Sequence, residues 1–154
     1  MIVDFFYLTL NKIKTKCMKI SIETFIVSDI NTVWNYYVNP AHITHWNFAS
    51  DDWQCPLVTN DLVVGGIYKA RMGAKGGSLG FDFIATYLEI IENKKISYLL
   101  EDKRKVDVSF EKYENEIKIL ITFDAEQTHS YKIQKMGWQS ILNNFKKYVE
   151  KHNH

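Results

Sequence analysis

The chain has 154 residues, of which 46% are hydrophobic and 14% aromatic, with 19 basic and 18 acidic side chains for a formal net charge of +1. That length is most simply one domain, able to bury roughly 70% of its unfolded surface and to hold a core without disulfide or metal. Charge near zero excludes a phosphate-neutralising surface, the more so because Lys12, Lys14 and Lys16 lie together near the start, so no nucleic-acid partner is expected.

No run approaches the ~18 apolar residues of a membrane span. The opening MIVDFFYLTLNKIKTKC has Asp4 but no base before its short apolar run, and no small-residue cleavage site, so it does not read as a signal peptide. A good strand starts just after Met18. Met18 is therefore expected to be the functional start, with residues 1–17 an N-terminal extension and residues 18–152 the single domain. Cys17 and Cys55 lack CxxC spacing and a histidine partner, and read as reduced thiols of a cytoplasmic protein.

Lys19–Val27 is rich in β-branched residues and predicts a strand. Ser28 or Asp29 supplies an N-cap, after which Ile30, Val33, Trp34 and Tyr37 recur at helical spacing. Asn39-Pro40 ends that helix, and Pro40 suits the first turn of a second short helix through His45. Trp46–Asn60 has no period and reads as a loop. Gly76-Gly77 predicts a two-residue hairpin turn. With Lys75 facing Ser78, Met72 opposes Phe81, Ala70 opposes Phe83 and Tyr68 opposes Ala85 on one face, while Arg71 opposes Asp82 and Ile67 opposes Thr86 on the other.

Strands are next expected over Lys95–Glu101, where Leu99 and Leu100 leave the register open, and over Lys105–Tyr113 and Glu116–Ala125. The turn at Glu114-Asn115 pairs Phe110 with Ile119, Val108 with Ile121 and Val106 with Phe123. His129–Lys151 predicts a long helix with an apolar stripe of Ile133, Met136, Ile141, Phe145 and Tyr148, widened by Trp138, Leu142 and Val149. Segregated strands and helices make this an α+β chain with an antiparallel sheet.

This order of elements is the helix-grip arrangement, and specific residues resemble the SRPBCC superfamily, which includes START lipid-transfer domains and polyketide cyclases. They are Gly65-Gly66, Tyr68, Arg71-Met72, Gly80-Phe81-Asp82-Phe83 and Tyr87. Two further blocks, Ala49-Ser50-Asp51-Asp52-Trp53 and Gly137-Trp138-Gln139 with Ile141-Leu142 and Asn144-Phe145-Lys146, resemble the branch similar to the activator of the heat-shock-protein-90 ATPase. The resemblance runs from about Met18 to Glu150. The chain departs from it at Gly73, at Gly76-Gly77 and at Lys103, where similar sequences tend to carry an acid, Asp-Gly and Gly.

The resemblance implies a curved antiparallel sheet wrapped around the C-terminal helix, two short helices after the first strand, and a cavity between sheet and helix. Met72, Phe81, Phe83 and Tyr87 are expected to line one side, and Trp138, Ile141 and Phe145 the other. Trp46 and Trp53 flank a candidate lid, and Tyr68, Tyr87, Gln139 and Asp52 are candidate polar groups at the mouth. Arg71 with Asp82 reads first as a surface pair, and second as an anchor for a carboxylate ligand. His42 and His45 share a face at metal-binding spacing, but no third ligand stands near, so no metal or cofactor is expected. The leading expectation is a non-enzymatic module binding a small hydrophobic or amphipathic molecule. The alternatives are a cyclase- or hydrolase-type enzyme using Asp52, Tyr87 or Arg71, and a domain that engages a chaperone ATPase. The free edge beside Lys19–Val27 offers a route to a homodimer.

Overall fold

The computed structural model describes residues 18–152. The reading of residues 1–17 as an extension, and Cys17 with it, lies outside the described residues. β1 (Lys19–Val27) alternates strictly, burying Ile20, Ile22, Thr24 and Ile26. Asp29 caps α1 (Ile30–Val38) by accepting from Thr32 N at 2.9 Å and from the Thr32 hydroxyl at 2.8 Å. Asn39 ends that helix and starts α2 (Pro40–Ile43), its side chain accepting from Ala41 N at 3.0 Å. There follow β2 (Trp53–Asn60), β3 (Ile67–Ala74), β4 (Gly80–Ile91), β5 (Lys95–Leu100), β6 (Lys105–Tyr113), β7 (Glu116–Asp124) and α3 (Tyr131–Lys151). The seven strands form one antiparallel sheet in the order β1-β7-β6-β5-β4-β3-β2. α3 packs along β1 and closes the core, which makes this the expected α+β helix-grip fold.

Both predicted hairpin registers occur, including Met72 opposite Phe81 and Val108 opposite Ile121. The turn between β3 and β4 is shifted, however. Gly77 N donates to Ala74 O at 2.9 Å, and of the two glycines only Gly77, at φ +77°, is left-handed. Lys75 N donates instead to Asp52 O at 2.9 Å, tying the tip to the chain before β2. At the other end of the hairpin, Gly65 N donates to Tyr87 O at 2.9 Å and Tyr87 N to Gly66 O at 3.0 Å. A Cβ on Gly66 would lie 2.1 Å from Asp61 O, so only glycine lets this crossing deliver Tyr87 inward.

Two expectations need correction. The span expected as a loop contains β2, an edge strand. Pro56 breaks its ladder, and a bulge between Gln54 and Leu57 breaks its alternation, which removes the period that marks a strand. The stripe of α3 also starts later than expected. Ile133 and Met136 are each 59% exposed, while Gln134 is buried. Gln134 Nε2 donates to the carbonyls of Glu126 and His129, and its Oε1 accepts from Glu126 N, so a polar side chain braces the β7–α3 loop from below.

Candidate ligand-binding site

A cavity of about 430 Å³ lies between the sheet and α3. Tyr68 and Met72 of β3, Phe81, Phe83 and Tyr87 of β4, and Ile96 and Tyr98 of β5 form one wall. Trp138, Gly137, Ile141 and Leu142 of α3 form the facing wall. Tyr37 and Val38 of α1, with Trp46 and Asn47 beyond α2, close a third side. The rim carries Arg104, Glu126, His129 and Ile133.

Aromatic edges and faces set the shape. Trp138 stacks on Phe123 at 4.0 Å between ring centres and meets Phe83 edge-on at 6.3 Å. Phe83 in turn meets Tyr68 and Tyr98 edge-on at 6.0 and 6.3 Å. A Cβ on Gly137 would meet nothing within 4 Å, so this mid-helix glycine leaves open space instead of permitting close helix–sheet contact.

The polar groups are few and specific. Tyr87 donates to Asn60 Oδ1 at 2.7 Å, while Asn60 Nδ2 donates to Val38 O at 2.7 Å. That pair fastens the end of β2 to the end of α1. Asn47 Nδ2 donates to the Tyr68 hydroxyl at 3.3 Å and faces Met72 Sδ at 3.5 Å. Burial pushes the phenols of Tyr37, Tyr68, Tyr87 and Tyr98 up, Tyr87 to about 12, and each of Tyr37, Tyr68 and Tyr98 is raised further by neighbouring tyrosines. All four are therefore neutral phenols at physiological pH. At the rim, Arg104 is paired with Asp102 at 2.7 Å and His129 with Glu126 at 2.9 Å.

Of the residues singled out in the sequence, Trp46, Tyr68, Met72, Phe81, Phe83, Tyr87, Trp138 and Ile141 line this cavity together. The other four stand elsewhere. Phe145 is fully buried behind the wall, 4.7 Å from Trp46 and 5.3 Å from Tyr37 between ring centres. Arg71 lies on the outer face with Asp82 at 3.5 Å, as period-two alternation requires. Asp52 is exposed and accepts from Ser50 Oγ, which holds its carboxyl below the usual range. Trp53 belongs to β2 and packs on Phe81 at 6.2 Å.

Of the two tryptophans that flank the candidate lid, Trp46 is fixed within the fold. Trp46 is 5% exposed, donates through Nε1 to Tyr36 O at 3.0 Å, and is pinned by Asn144 donating to its carbonyl at 2.8 Å. Gln139, another expected mouth group, reaches Glu23 O on β1 at 3.1 Å instead. His42 bonds Tyr148 at 2.7 Å, with His45 stacked on the same ring.

A sequence model described as Activator of Hsp90 ATPase homolog 1-like protein matches residues 28–150. The solution structure of an AHSA1-like protein from Aeromonas hydrophila is 43% identical, covers 89% of this chain and 98% of its own, and superimposes with a TM-score of 0.83. A solution structure from Cytophaga hutchinsonii is 40% identical over 88% of this chain and 96% of its own, with a TM-score of 0.76. A crystal structure from Nitrosomonas europaea shares the fold at a TM-score of 0.75 and 14% identity, covering 87% of this chain and 95% of its own. No curated protein matches the sequence. The matched span and these two relatives show that the chain belongs to the Activator of Hsp90 ATPase homolog 1-like family, a branch of the SRPBCC superfamily.

Proposed function

We propose that this chain is a non-enzymatic module that binds a small hydrophobic or amphipathic molecule between its sheet and α3. The cavity carries the reading. Its volume of about 430 Å³ lies within the range of small-molecule sites, and its walls are mostly aromatic and aliphatic with a few fixed polar groups. A side chain as large as Trp138 beside Gly137, where a Cβ would meet open space, supports a helix face shaped for a guest. Of the three groups named for the enzymatic alternative, Asp52 and Arg71 lie outside the cavity, and Tyr87, which lines it, gives its proton to Asn60.

Native mass spectrometry of gently purified protein tests the proposal, with denaturing extraction of whatever co-purifies and a thermal-shift panel of fatty acids and polycyclic aromatics. The expected result is a discrete bound mass lost on denaturation, or a rise in Tm with one class of the panel. A bare protein mass with no thermal shift overturns the reading. It would direct attention to a protein partner such as the ATPase in the family description.

A further inference from the structure

The inner part of the cavity holds more hydroxyl groups than an apolar container needs. Phenylalanine would fill the same volume at Tyr37, Tyr68 and Tyr98 without an O–H to satisfy, and a buried hydroxyl without a partner is costly. These three phenols come from α1, β3 and β5 and all line the cavity. Tyr87, from β4, directs its proton to Asn60 and is satisfied. Tyr68 accepts from Asn47, which leaves its own proton without an acceptor among the described residues. The hydroxyls of Tyr37 and Tyr98 have no hydrogen-bond partner among the described residues, and neither is sealed off as a buried orphan. Three neutral O–H donors thus face one space from three elements.

The charges around that space narrow the ligand. Among the described lining residues Arg104 is the one guanidinium or ammonium, and it sits at the rim against Asp102. A carboxylate pushed inward would be desolvated with no cation among the described residues to meet it. A carbonyl oxygen carries no such penalty and accepts two hydrogen bonds. The aromatic wall of Phe83 and Trp138 favours a flat ring system behind that oxygen.

Resting on the cavity reading above, we infer that the hydroxyls of Tyr37, Tyr68 and Tyr98 form a donor subsite for the carbonyl oxygen of a flat, uncharged, amphipathic ligand. The ligand enters carbonyl first and leaves its apolar end toward Ile133 and Phe81.

Fluorenone and fluorene test this, being one tricyclic skeleton with and without a carbonyl. Each is titrated by quenching of tryptophan fluorescence, and the carbonyl stretch of bound fluorenone is read by infrared difference spectroscopy. The expected result is fluorenone binding about tenfold tighter than fluorene, as two net hydrogen bonds give. Its carbonyl stretch should fall below the value in hexane. In a folded Tyr37→Phe/Tyr98→Phe variant, where Tyr68 alone still donates, the preference should fall to about threefold or less and the stretch move part of the way back, with fluorene affinity changed less than about twofold.

Equal binding of the two probes to the unmodified protein, or an unshifted stretch, overturns the inference without recourse to any variant. So does a preference that is undiminished in the double variant. If neither probe binds but a fatty acid does, the subsite falls and the cavity reading stands. If nothing binds, both fall.

Discussion

Lys103 adopts φ +72° in the turn between β5 and β6, a left-handed conformation that costs a side-chain-bearing residue about 1 kcal/mol or more. Glycine, which the family resemblance implies at this position, would carry no such cost. Lys103→Gly is expected to stabilise the protein by about 0.5–1 kcal/mol and raise Tm by about 2–4 °C, measured by calorimetry. An unchanged or lower Tm would mean that the turn relaxes away from this conformation. His42 makes a second prediction at this scale. Burial, then the nearby His45 and His152, hold its imidazole below the ordinary 6.5. The folded state therefore prefers neutral His42, and the unfolded chain takes up the proton first. That contribution to stability is complete above about pH 6.5 and is lost as pH falls through the lower folded value. The Tm of the native sequence should fall between about pH 7 and 5, and His42→Gln should flatten that fall. A histidine NMR titration with a His42 midpoint at or above 6.5 would contradict the argument.

Within α3, Gly137 sets stability against capacity. Glycine in a helix interior costs about 1 kcal/mol relative to alanine, and nothing in the surroundings forbids a methyl here. Gly137→Ala should therefore raise Tm by a few degrees while weakening fluorene binding by about threefold or more, because the methyl enters the cavity. Gain of stability with undiminished binding would separate this gap from the site. The same scale explains what could be read from the sequence. The β3–β4 and β6–β7 hairpins were legible because strict alternation and short turns fix register, so one correct turn orders every pair. β2 was hidden by Pro56 and its bulge. A second bulge, between Tyr87 and Glu89 in β4, displaces the pairing with β5, which is why Leu99 and Leu100 looked equally buried and Tyr98 was passed over. Tyr37 appeared as one more member of a helical stripe. Arg104, Glu126 and His129 come from turns, where no period exists to mark a residue as facing inward.

For the whole molecule, the question left by an open sheet is what happens at its two edges. β1 and β2 are the terminal strands, and an exposed edge invites strand addition by a second copy. At β1 the helix intervenes: Gln139 Nε2 donates to Glu23 O at 3.1 Å, and Val27 N donates to Glu150 Oε2 at 2.9 Å. Outward-facing backbone groups of this strand are thereby engaged within the chain, and Lys19 and Glu23 add charge to its exposed face. At β2 the bulge and Pro56, which has no N–H, interrupt the ladder that a partner strand would need. A homodimer built by pairing β1 with its copy is therefore not favoured, despite the edge that the sequence suggested. Sedimentation velocity at about 50 μM should give one species near the 18.1 kDa of a single chain. Should a dimer appear, hydrogen exchange identifies its seam. Dimer-dependent protection of β1 amides would refute this account of the edge. Protection around the exposed Leu57, Val63, Val64 and Ile67 would instead mark association through side chains, leaving both backbone edges unpaired.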